Sequence, residues 1–153
     1  MGRLSGKKAV VTGAAQGLGA AIVDHLAEEG ADVAGWDING DQIRETMDGV
    51  AATRGCRTTS AVVDVRDAAR VRAAMEESAA FLGGLDICVC NAGILISGDS
   101  LDFEVDKWQR VLEVNLVGYF VTAREAARIM VPNKRGSIVQ INSKSGKKGS
   151  YRN

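Results

Sequence analysis

Lys8 to Asp37 reads KAVVTGAAQGLGAAIVDHLAEEGADVAGWD, and the changes of period within it decide the fold. KAVVTG is a short Val- and Ala-rich run of strand character. In GLGAAIVDHLAEEG, Leu18, Ile22 and Leu26 recur at helical spacing, while Asp24, Glu28 and Glu29 point elsewhere. Gly30 then stops the helix, and ADVAGWD is a second short strand. Two strands joined by a single helix predict a parallel pair with a crossover connection.

The alternation continues to the end of the chain. A polar helix is expected near 40–53, then a strand TSAVVDV, then a helix with Val71, Ala74, Met75 and Leu82 on one face. The strand LDICVCNAG follows. One long helix runs from about Val105 to Met130, closed by Pro132, and GSIVQIN supplies a fifth strand. This order predicts an α/β protein whose parallel sheet is covered on both faces. Right-handed crossovers and short connections narrow it to a doubly wound sheet, most simply ordered 3-2-1-4-5, in one domain spanning 1–153. Ligands bind at the carboxyl ends of such strands.

Composition excludes several functions. Nineteen basic and nineteen acidic side chains balance to no net charge, which argues against nucleic acid as a partner. No apolar run approaches membrane-spanning length, and MGRLSGKK has no apolar signal core. Cys56, Cys88 and Cys90 form no even framework, so a reduced cytoplasmic protein is expected. Cys88 and Cys90 face the same way in a strand, but zinc wants about four ligands and His25 lies in a distant helix. They are read as buried small hydrophobes, with no metal site.

The unusual residues collect at the strand ends. Thr12, Gly13, Gly17 and Gly19 lie between a strand and a helix, where glycine lets the backbone turn tightly and approach a diphosphate favoured by the helix dipole. The second strand ends at Asp37, about twenty residues beyond the glycines, where a carboxylate can accept from a ribose and repel a 2′-phosphate. Gln16 adds no cation for such a phosphate. Capping of the next helix is the other reading of Asp37, and capping stands equally beside an adenine contact for Asp64. Asn115 sits among Trp108, Val111, Leu112, Leu116, Tyr119 and Phe120. A buried amide there must either pair with a neighbouring backbone or serve a function.

TGAAQGLG, Asp64-Val65, CNAG, VNLVGYFVT and IVQINSKSG, in this order, resemble the successive motifs of the short-chain dehydrogenases/reductases, over essentially the whole chain. The resemblance implies a Rossmann-type fold and an NAD-dependent oxidoreductase acting on a small secondary alcohol or ketone, homo-oligomeric in its full form. It assigns cofactor binding to Gly13, Gln16, Gly17, Leu18, Gly19, Asp37, Asp64, Val65, Asn91, Ala92 and Gly93. It makes Asn115 the active-site amide that positions a water, and Ser143 the catalytic hydroxyl, although a serine after a strand also forms turns. The family often has a second Asn where this chain has Cys90.

The same resemblance implies a tyrosine base roughly a dozen residues after the serine, and a lysine four residues beyond it. Tyr151 is only eight positions from Ser143, with no residue at 155. The chain is therefore expected to be the N-terminal portion of a longer enzyme, cut after the fifth strand. A dinucleotide-binding module without catalysis is the alternative. Within the family, QINSKSGK at 140–147 is most similar to the sorbitol-6-phosphate 2-dehydrogenases, which implies a polyol or sugar-alcohol phosphate near Lys144, Lys147 and Lys148.

Overall fold

A computed structural model describes residues 2–143. Five strands, β1 (Lys8–Thr12), β2 (Asp32–Asp37), β3 (Thr58–Val62), β4 (Ile87–Cys90) and β5 (Ser137–Gln140), form one parallel sheet in the order β3-β2-β1-β4-β5. The helices between them are α1 (Gly17–Glu28), α2 (Gly40–Arg54), α3 (Ala68–Leu82), and the run α4 (Val105–Leu112) to α5 (Gly118–Met130). This is the doubly wound architecture that the alternating periods predict.

The strand period of two sorts the core into two layers. Ala9, Val11 and Val33 turn to one face and pack with Val23 and Ala27 of α1 and Ile43, Met47 and Val50 of α2. Val10, Ala34 and Trp36 turn to the other, against Val71, Ala74 and Met75 of α3 and Tyr119, Val121 and Met130 of α5. Cys88 and Cys90 are fully buried in that second layer, as small hydrophobes. The Trp36 indole N–H donates to Ser78 Oγ at 3.0 Å, so its burial leaves no orphan donor.

Local signals set the helix limits. Asn39 caps α2 by accepting from Gln42 N–H, and Asp67 caps α3 by accepting from Ala69 and Arg70 N–H. Gly55 and Gly83 end these helices in the left-handed conformation. Neither Asp37 nor Asp64 is a helix cap: the caps lie two and three residues further on, so that reading falls for both.

Two other expectations are corrected. In α1 the stripe facing the sheet is Gly19, Val23 and Ala27, whereas Leu18 is 58% exposed and Ile22 and Leu26 are only partly buried. The helix lies so close to the β1 turn that a Cβ on Gly19 would come within 1.9 Å of Gly13 O, and only small residues fit there. The expected helix from Val105 to Met130 is continuous but not uniform. Glu113–Val117 is a π-helical turn, in which Gly118 N–H donates to Glu113 O, five residues back.

Candidate functional site

At the carboxyl ends of β1, β2, β3 and β4 lies a cleft of about 450 Å³. Of the residues assigned to cofactor binding from the sequence, all but Gly17 line it. Ile38, Val63, Arg66, Ile94, Arg110 and Val114 complete the wall, and sequence reading did not find them. Five sit beside recognised positions in the chain, Val114 next to Asn115 among them; Arg110 arrives from the distant α4, which no local pattern reveals.

The floor is a hydrogen-bonded knot around Thr12. Its buried hydroxyl accepts from Asn91 N–H and Ala92 N–H, both at 3.0 Å, while Asn91 Nδ2 donates to Thr12 O and Gly13 O at 3.0 and 3.1 Å. Asn91 therefore locks the turn after β4 onto the turn after β1. Gly13 has φ +64°, and a Cβ on it would lie 2.8 Å from Ala92 Cα, so this junction needs glycine twice over.

Above the knot, α1 opens into the cleft with no side-chain cap: Gln16 occupies the cap position and makes no cap hydrogen bond, and the first turn has no acidic residue. The first-turn N–H groups of any helix lack intrahelical partners. Ala14 N–H and Ala15 N–H are already used, on Trp36 O and Asp37 Oδ2. The donors at Leu18 and Gly19, which line the cleft, remain to meet an anion, backed by the positive end of the helix dipole.

Asp37 stands at the rim with each carboxylate oxygen accepting one backbone N–H: Oδ2 from Ala15 at 3.1 Å and Oδ1 from Asn39 at 3.0 Å. A carboxylate has about four acceptor positions, so both oxygens keep capacity for a ligand hydroxyl. Asp64, two residues past β3, accepts from Arg66 through its backbone and guanidinium. The Arg66 side chain beside it holds the Asp64 carboxyl below its ordinary range. Two guanidiniums, Arg66 and Arg110, thus enter the cleft, although Arg66 is spent on Asp64.

Asn115 is exposed rather than buried, which corrects the expectation for its helix. Its amide is tied to a neighbouring backbone: Oδ1 accepts from Ile94 N–H at 2.9 Å and Nδ2 donates to Ile94 O at 2.8 Å. The π-turn thereby grips the irregular segment after β4. Tyr119, on the next turn, donates its hydroxyl to Ile141 O at 2.7 Å, and burial pushes its phenol up. Ser143 follows β5 on the same edge, where Gln140 pairs with Cys90 and Ile141 N–H donates to Cys90 O. Tyr151 and the lysines at 144, 147 and 148 lie outside the described residues.

The model of the short chain dehydrogenase family matches residues 7–153, and the chain belongs to that family. Among curated proteins it is 41% identical over 152 residues to a 2-dehydro-3-deoxy-L-rhamnonate dehydrogenase (NAD(+)) of Sphingomonas sp. (strain SKA58), covering 97% of this chain and 58% of that one. Among solved structures it aligns with NAD+-bound xylitol dehydrogenase at TM-score 0.95 and 30% identity, over 98% of this chain and 58% of the other. Carveol dehydrogenase from Mycobacterium avium in complex with NAD aligns at 0.94 and 32%, over 99% and 60%. The chain spans a little over half the length of these relatives.

Proposed function

We propose that the chain binds NAD and serves an oxidoreductase that moves a hydride between the nicotinamide and a secondary alcohol or its ketone. The observation that carries this reading is the uncapped start of α1 opening over a glycine turn, with Asp37 at the rim of the same cleft. The residues fit a dinucleotide. A diphosphate meets the free donors of Leu18 and Gly19, and Gly13 and Gly19 present no side chain against it. The spare acceptor capacity of Asp37 suits the two ribose hydroxyls, and its charge disfavours a 2′-phosphate, hence NAD over NADP. Asp64 and Val65 bound the adenine end, with Gln16, Asn91, Ala92 and Gly93 completing the contact surface.

When bound, NAD supplies the hydride acceptor. Ser143 donates its hydroxyl hydrogen bond to the substrate oxygen and steadies the charge that develops there. Asn115 fixes the Ile94 segment and takes the water-positioning role. A polyol or sugar-alcohol phosphate is the proposed substrate class. It is supported by the QINSKSGK pattern at 140–147 and by relatives named for xylitol and for a deoxy sugar acid. Trp108, Leu116 and Phe120 are each more than half exposed, and a second copy of the chain is proposed to cover them. No helix among the described residues is long and apolar enough to cross a membrane, and three free cysteines suit a reducing cytoplasm.

The test is nicotinamide reduction followed by absorbance with NAD or NADP against xylitol, sorbitol 6-phosphate and a hydroxysteroid. Reduction of NAD by a polyol is expected where the family's tyrosine and lysine are also present, and NAD binding without turnover where they are not. Absence of binding to either dinucleotide contradicts the reading.

A further inference from the structure

The backbone of Ala15, one residue before the cap of α1, is held on both sides by groups from elsewhere. Its N–H donates to Asp37 Oδ2 at 3.1 Å, and its carbonyl accepts from the Thr46 hydroxyl at 2.8 Å. Asp37 Oδ1 in turn accepts from Asn39 N–H at 3.0 Å, at the cap of α2, and Thr46 lies two turns along that helix. The contacts close a ring: glycine turn, Asp37, start of α2, Thr46, and back to the glycine turn. Gln42 adds a weaker strut, with Nε2 donating to Gln16 Oε1 at 3.4 Å.

Thr46 is not behaving as a mid-helix threonine usually does. Such a residue tends to bond the carbonyl four positions back in its own helix. Thr53, on the same helix, does so, donating to Gly49 O at 2.9 Å. Thr46 instead turns its one donor outward to another element. Threonine is also a modest helix former, so propensity gives no reason for it at this position.

We propose that Thr46, which does not line the cleft, is a positioning residue that sets the phosphate-binding geometry by anchoring the Ala15 carbonyl. Gln16 and the first turn of α1 follow directly from that peptide, so a shift of Ala15 re-aims the N–H groups of Leu18 and Gly19. Asp37 holds the N–H of the same residue, one peptide earlier, so it organises the turn as well as facing the ribose. This inference rests on the proposed dinucleotide reading: the wild-type protein must bind ADP-ribose for the comparison to begin. If it does not, that reading fails, separately from the role of Thr46.

The experiment compares wild type with Thr46→Val, Thr46→Ala and Thr46→Ser in the intact protein, titrated with ADP-ribose and with adenosine, which has the ribose but no phosphate. Valine and alanine are expected to weaken ADP-ribose roughly three- to tenfold, the scale of one neutral hydrogen bond, while adenosine stays within about twofold. Serine keeps the hydroxyl and is expected to restore wild-type affinity. Alanine carries the comparison if the branched valine perturbs packing. Equal losses for both ligands, no loss for either, or a serine variant as weak as alanine each overturns the proposal.

Discussion

Gly17 and Gly19 read alike in the sequence, as members of one glycine-rich turn, and differ in space. Gly17 has φ +56° with open space where a side chain would begin, whereas a Cβ at Gly19 would strike the Gly13 carbonyl at 1.9 Å and Asn91 Nδ2 at 2.7 Å. Gly17→Ala is expected to cost about 1–2 kcal/mol of left-handed strain. Gly19→Ala must push α1 off the sheet, at roughly 1–3 kcal/mol or more, and should also weaken dinucleotide binding more than tenfold. Urea unfolding and calorimetric titration of both variants check the order. Spacing made the turn legible, along with Asp37 about twenty residues on, because both are local facts of the chain. Arg66 and Arg110 were not legible as cleft residues, since a lone arginine in a loop or polar helix looks the same whether or not a cleft lies beside it.

Strand and helix order was readable from periodicity, but the way an element meets its neighbour was not. The larger stripe of α1 looked like its buried face, and the small stripe won because backbone contact with the β1 turn excludes bulk. The π-turn at Glu113–Val117 left no trace in the apolar pattern, since one i→i+5 turn barely shifts the period. Its consequence is testable at Asn115, whose two hydrogen bonds to Ile94 join α4–α5 to the segment after β4. Asn115→Leu should cost about 1–2 kcal/mol and speed exchange of the Ile94 amide. Unchanged protection at Ile94 would contradict this link.

The end of α1 makes another junction. Glu29 accepts from the Arg3 guanidinium and backbone N–H, at 2.8 and 2.9 Å, which lowers its carboxyl from an ordinary 4.5 to about 2. Because the folded value lies below the unfolded one, this contact stabilises fully above about pH 4.5. It fades as pH falls toward 2. Thermal midpoints of wild type and Glu29→Gln should therefore differ at pH 6 and converge near pH 2. A gap that persists at pH 2 would contradict the assignment.

In the whole molecule, the sheet order and its two buried layers follow from rules that a sequence obeys, while the surfaces left open follow from what packs onto them. β5 is exposed along its length, with Ile138 and Val139 in view, and Trp108, Leu116 and Phe120 stand out on the neighbouring helical run. The proposed contact between copies predicts that Phe120→Glu lowers the mass found by light scattering without changing the circular dichroism of the sheet and helices. A mass unaltered by that charge would remove Phe120 from any contact between copies.

The most direct measurement is calorimetric titration of the protein with NAD and, separately, NADP. One saturable NAD site, with NADP at least about tenfold weaker because Asp37 opposes its extra phosphate, is the predicted result. Failure to bind either dinucleotide, or equal binding of both, would contradict the account.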